Sequence, residues 1–216
     1  MTTAHPARTR LLARWNDLLR RTTRTGTDPT PYGERLLTAW EEPHRRYHNC
    51  DHLLAVLDHV EELGRSATAP DSVLLAAWFH DAVYQPERST NEERSARLAE
   101  RALREAGVPP DQVAEVARLV RLTTTHAPVP GDRNGEVLCD ADLAVLASGP
   151  QEYARYAAAV REEYAFVPDD AFRTGRARVL RDLLDLPQLF RTPMGHAQWE
   201  ATARRNVTTE LELLSA

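Results

Sequence analysis

Three short segments concentrate side chains that bind cations or move protons. Tyr47-His48-Asn49-Cys50-Asp51-His52 holds two histidines four residues apart. On a helix, positions i and i+4 share a face, so both imidazoles project the same way. His80-Asp81 ends the most apolar run of the chain, Val73 to Phe79, where an ionised carboxylate is costly unless a cation or hydrogen bonds compensate it. Leu138-Cys139-Asp140-Ala141-Asp142-Leu143 sets two carboxylates inside an apolar helical pattern. Residues two apart point to different sides of a helix, so at most one of them serves a given site, and the other caps or orients a partner. Each segment alone has an ordinary reading: capping histidines, a histidine at the negative end of a helix dipole, or a solvated aspartate. Together they supply imidazoles and carboxylates, a mixed nitrogen and oxygen set suited to a divalent Mn, Fe, Co, Ni, Zn or Mg ion. Four protein ligands on an ion that takes about six leave positions for water and substrate, as hydrolysis requires.

The elements that must position these groups are all helical. Apolar residues at helical spacing predict helices over Ala7–Arg21, Tyr32–Glu42, His48–Leu63 and Val73–Tyr84, the last with Asp71 as its N-cap. Further helices are expected over Asn91–Ala106, Asp111–Thr125, Glu136–Leu146, Pro150–Phe166, Asp170–Leu184 and Gly195–Leu214. Ala127–Gly135, with two prolines and two glycines, reads as a loop. No alternating β-branched run is long enough for a strand, and no linker is long enough to separate two domains. The expectation is an all-α, single-domain helical bundle over residues 1–216, with its motif core at about 46–146.

Composition narrows the function classes. With 42% hydrophobic and 27% charged residues, the chain is neither a membrane protein nor a disordered one. A net charge of -5 and a pI near 5.9 give no basic footprint, so no nucleic-acid polymer is expected as a partner and a small-molecule phosphate fits better. All 27 basic residues are arginine, so the arginine count by itself assigns nothing. The two cysteines, Cys50 and Cys139, make no disulfide framework, and the N-terminus has no apolar run, so a cytoplasmic location is expected. No stretch reaches the roughly 18–20 apolar residues of a membrane span.

The segments YHNCDH, FHDAVY, NEERSA and DADLA resemble a bacterial group within the HD superfamily of metal-dependent phosphohydrolases, over roughly Arg46 to Asn206. YHNCDH is also similar to the YHNxxH motif of cyclic-nucleotide phosphodiesterases. The resemblance implies an HD-type helical bundle in which His52, His80, Asp81 and Asp142 bind metal, with Asp140 as the fallback for the last position. It implies that His48 acts as the acid that protonates the leaving oxygen, and that Asp81 takes or orients the proton of an attacking water. Glu92 is a further catalytic candidate. Glu93, His126 and Asp140 are candidates to orient a ligand or to hold a second metal. Arg161 and Arg204, at positions like those of the same group, are candidates to hold a phosphate bidentately.

After His80-Asp81 the chain reads Ala82-Val83-Tyr84-Gln85, without the acidic pair of guanosine-tetraphosphate hydrolases or the glutamate of deoxynucleotidase branches. The resemblance therefore implies hydrolysis of a phosphomonoester or phosphodiester, on a small nucleotide-like molecule, without fixing the substrate. Two other readings follow from the same segments: an HD-type di-iron oxygenase, and a nucleotide-sensing module without turnover. His59 and Trp199 carry no motif and read as structural.

Overall fold

The run Val73–Phe79 has no polar side, so a helix built from it must be covered all round. In the computed structural model, which describes residues 5–24 and 26–215, ten α-helices do this, and no strand occurs among the described residues. They are α1 (Arg8–Thr22), α2 (Thr30–Trp40), α3 (Cys50–Leu63), α4 (Pro70–Phe79), α5 (Asn91–Ala106), α6 (Pro110–Leu122), α7 (Arg133–Leu143), α8 (Pro150–Glu163), α9 (Asp169–Asp185) and α10 (Pro193–Ser215). Short 3-10 turns follow α3 at Gly64–Ser66 and α7 at Ala144–Ala147. The all-α class is therefore as the periodicity predicts. No helix among the described residues is long and apolar enough to cross a membrane.

α4 is central, with every residue from Ser72 to Phe79 buried and with α1, α3, α5, α6 and α7 packed against it. Trp15 of α1 meets Trp78 and Phe79 edge-on, with ring centroids 5.2 and 6.0 Å away. Its indole N–H donates to the Pro29 carbonyl, and that of Trp40 to the Trp78 carbonyl, so both large rings are buried with their polar atom satisfied. A second, smaller cluster joins Leu146, Tyr153, Leu180, Phe190, Ala203 and Val207 from the 144–147 turn and from α8 to α10. Trp199 packs against both clusters.

Several boundaries differ from the sequence expectation, each for a local reason. α3 begins at Cys50, because the Asn49 side chain caps it by accepting from the N–H groups of Asp51 and His52. His48 therefore precedes the helix, and the shared helical face predicted for His48 and His52 does not exist. α4 starts at Pro70, with Asp71 inside its first turn, and stops at Phe79, five residues before the predicted end. α7 reaches back into the predicted loop, starting at Arg133, because the Asp132 carboxylate accepts the Gly135 N–H. A Cβ on Gly135 would lie 2.4 Å from that carboxylate and 2.6 Å from Leu122, so this close packing needs glycine.

Candidate metal centre

Capping sets the position of each candidate ligand. Asn49 fixes the first turn of α3 so that His52, on its third residue, enters the interior. His80 caps the C-terminus of α4, and its Nδ1 lies 2.7 Å from the Ala77 carbonyl. A carbonyl only accepts, so Nδ1 carries the proton and Nε2 is left as the coordinating atom, the usual arrangement for a metal-binding histidine. Asp142 sits in the last turn of α7. Arg45, just before the motif, ties the segments together: its buried guanidinium donates to the carbonyls of His48 and Asp81 at 3.0 and 2.8 Å.

The result is a dense polar cluster inside an apolar bundle. His52, His80 and Asp81 offer ligand atoms that all lie within 4.8 Å of one another. His52 Nε2 is 3.3 Å from His80 Nε2, which is 3.3 Å from Asp81 Oδ2. Asp142 Oδ1 lies 3.1 Å from His52 Nε2 and 3.5 Å from His80 Nε2. Neighbouring ligands on one cation, with bonds of about 2.1 Å, stand about 3 Å apart, so His52, His80 and Asp81 fit a single ion, and Asp142 lies against the two histidines of that group. Of the two aspartates, Asp142 is the one that faces the cluster.

The electrostatics also call for a cation. Burial alone would raise the Asp142 carboxyl, but the charge of His80 and hydrogen bonds from His126, His52 and His80 hold it well below the ordinary carboxylate range. Burial is likewise outweighed at Asp81, which the charge of His80 and its hydrogen bond lower. Two ionised carboxylates largely withdrawn from water need positive charge beside them, which a protonated His80 or a divalent ion provides. Burial and the neighbouring imidazoles His80 and His48 lower His52 despite its bond to Asp142, which favours the neutral, ligating form.

His48 reaches the same region from outside the helix, with its ring centroid 5.7 Å from that of His52 and stacked on Tyr84 at 4.3 Å. What orients it is Glu163, the last residue of α8. The Glu163 side chain is wholly buried and accepts the backbone N–H groups of Arg46, Tyr47 and His48 on Oε1, and His48 Nδ1 and the Tyr84 hydroxyl on Oε2. Burial would raise this carboxyl, but the His48 hydrogen bond, the His48 charge and the backbone donors bring it down to about 2. Burial opposes protonation of His48, yet the Glu163 bond and the charges of Asp81, Glu163 and Asp142 raise it above its ordinary value.

Sequence reasoning did not find Glu163 or Arg45. Glu163 lies 115 residues from His48, and nothing local sets it apart from Glu162. Arg45 shares its residue type with every other basic position, and only its burial distinguishes it.

The remaining candidates divide. His126, held at a positive φ of 48°, places Nε2 2.8 Å from Asp142 Oδ2 and so joins the cluster through that carboxylate. Glu92 is half-buried and outside the ligand set, and its charge acts on Tyr164. Glu93 is directed elsewhere, because Arg97 and Arg121 hold its carboxylate at the surface. In the same segment, Asn91 and Ser95 instead pin the chain after His80-Asp81, through Gln85 and Val83. Asp140 faces away from the cluster and receives the N–H groups of Arg191 and Thr192 and the Thr192 hydroxyl, fixing the start of α10. Arg161 is bound to the Tyr164 and Val167 carbonyls and to Asp169, and Arg204 to Glu200 and the Leu184 and Leu186 carbonyls. Both guanidiniums are engaged in securing helix ends, and neither lines the cleft that meets the cluster.

A cleft of about 650 Å³ runs between α3 and α8 and meets the cluster at His52 and Asp142. Its walls include Val56, His59, Val145, Arg155, Tyr156 and Trp199. His48, Asp81 and His126 do not line it, but keep side-chain exposures of 22, 15 and 23%. No protein-family model matches this chain, and neither a curated protein nor a solved structure matches it.

Proposed function

We propose that the protein is a cytoplasmic, metal-dependent phosphohydrolase of the HD type, acting on a small phosphomonoester or phosphodiester. The observation that carries this reading is the close grouping of His52, His80 and Asp81, with Asp142 against both histidines, beside an open cleft. When bound there, a divalent cation supplies Lewis acidity and makes water nucleophilic at neutral pH. The chain supplies the rest. His48 donates its Nδ1 proton to Glu163, which leaves Nε2 to deliver a proton to a departing oxygen, and the buried carboxylate stabilises the imidazolium that does so. Tyr84, stacked on the ring and bonded to the same carboxylate, keeps the imidazole from rotating.

One observation supports a two-ion variant. Asp142 faces His52 and His80 through Oδ1 and His126 through Oδ2, an orientation suited to bridging. An oxygen-dependent di-iron chemistry follows that variant, and iron content with oxygen consumption distinguishes it.

The deciding experiment is elemental analysis of wild type and Asp81→Ala, followed by hydrolysis of phosphomono- and phosphodiesters after reconstitution. Metal stoichiometric in wild type, lost in the variant and required for turnover is the expected result. A wild type that takes up no metal and stays inert with Mn, Fe, Co, Ni, Zn and Mg would leave a nucleotide-sensing module as the better reading.

A further inference from the structure

The arginines expected to hold a phosphate are engaged at helix ends, whereas Arg155, in the wall of the cleft, has no partner among the described residues. α8 turns Glu152, Arg155, Tyr156 and Ala159 toward the cleft, at the spacing of one helical face. Arg155 is exposed there and has no hydrogen bond or ion pair with any described residue. Arg46, which also lines the cleft, is held only by Glu162 at 3.6 Å, with both side chains largely in water. Two acids also face the cleft besides Asp142: Asp51, which pairs with His5, and Glu152, which the positive end of α8 stabilises. Neither neutralises Arg155.

The cleft links this cation to the cluster, because Arg155, His52 and Asp142 all line it. The rings of His52, Tyr47 and Tyr156 lie in succession, with centroids 4.7 and 4.6 Å apart, and Arg155 adjoins Tyr156 on α8. Val56, Val145 and Trp199 add apolar surface to the same walls. Its volume is in the range that holds a drug-sized molecule.

We propose that Arg155 binds anionic phosphoryl oxygens of the substrate, and that the cleft selects a phosphate ester whose organic part is an apolar or aromatic group of about nucleoside size. The identity of the anion rests on the phosphohydrolase reading. The free guanidinium does not.

The test is calorimetric titration of metal-free, EDTA-treated full-length protein with adenosine 5′-monophosphate and with adenosine. Wild type binds the nucleotide, Arg155→Gln weakens it by about tenfold or more, and Arg155→Lys falls between, since lysine keeps the charge but lacks the planar fork. Adenosine binds wild type and Arg155→Gln equally. No binding of the nucleotide to wild type overturns the proposal, as does equal nucleotide affinity in wild type and Arg155→Gln. Adenosine binding that falls in parallel also overturns it, because the arginine then acts on something other than the phosphate. The two readings fail separately. Arg155-dependent binding in a protein that no metal activates keeps the anion site and removes the hydrolase. Metal-dependent hydrolysis with Arg155-independent binding does the reverse.

Discussion

Of the ten residues of α4, eight are buried, whereas of the seventeen of α9 only two are. The contrast extends to the halves these helices belong to. The N-terminal cluster, from α1 to α7, closes round α4 with three buried tryptophans and carries all four candidate ligands at helix ends. The C-terminal layer of α8 to α10 supplies no ligand. It gives Glu163 to His48, and Arg155 and Trp199 to the cleft. Rigid packing surrounds the candidate ligands, whose proposed role needs their separation held to within a few tenths of an ångström, and the lighter layer forms a wall of the cleft. Polar pins join the two: Glu163 to the 46–48 backbone, and Asp140 to Arg191 and Thr192.

If the halves divide the labour in this way, three measurements test it. The largest effect is expected at the seam. His48→Asn lowers kcat by about 10²- to 10⁴-fold without loss of bound metal, as removal of a general acid does. Glu163→Gln gives a smaller loss, about 10- to 100-fold, with KM unchanged and the alkaline limb of the kcat profile shifted to lower pH, because the imidazolium loses its carboxylate. Equal loss of metal in these variants would place His48 among the ligands instead.

Next come paired truncations in the two cores, read by urea denaturation. Leu75→Ala in α4 is expected to cost about 4 kcal/mol and Leu180→Ala in α9 about 2 kcal/mol, although both side chains are fully buried, because the thin layer relaxes round its cavity and the central helix does not. Equal costs would erase the distinction.

The smallest effect is the pH dependence of stability at the seam. Glu163 titrates near 2 in the folded protein against an ordinary 4.5, so its contribution is fully present above about pH 4.5 and is lost as pH falls toward 2. It amounts to on the order of 2 kcal/mol. His48 has the opposite sign: its folded value is raised, so its contribution is present below its ordinary 6.5 and is lost as pH rises past the folded value. The Glu163→Gln protein should therefore show a flatter acid limb in its urea midpoint than wild type. An unchanged slope would mean that the seam carries no such linkage.

Much of this was legible in the chain. Helical spacing predicts every helix, including the central position of the Val73–Phe79 run, because burial on all sides leaves a continuous apolar signature. His52, His80, Asp81 and one of Asp140 and Asp142 were readable as candidates to meet, since ionisable residues within or at the end of apolar patterns need a partner, and only the resemblance prefers Asp142. The boundaries were less legible where a side chain caps a helix, as Asn49 and Asp132 do, because a cap is a hydrogen bond and not a periodicity.

The sequence by itself determined the all-helical class, the run that must form the centre, and the residue types that must meet there. The tertiary structure decided that Asp142, which the resemblance prefers, and not Asp140 faces that meeting point, and that Glu163 reaches His48 from afar. Glu163 and Arg155 stand 21 and 13 residues beyond Asp142 in the chain, on a helix whose own pattern marks neither. Their positions come from the placement of α8 beside α3, and a contact between groups so far apart leaves no local pattern for spacing or propensity to register.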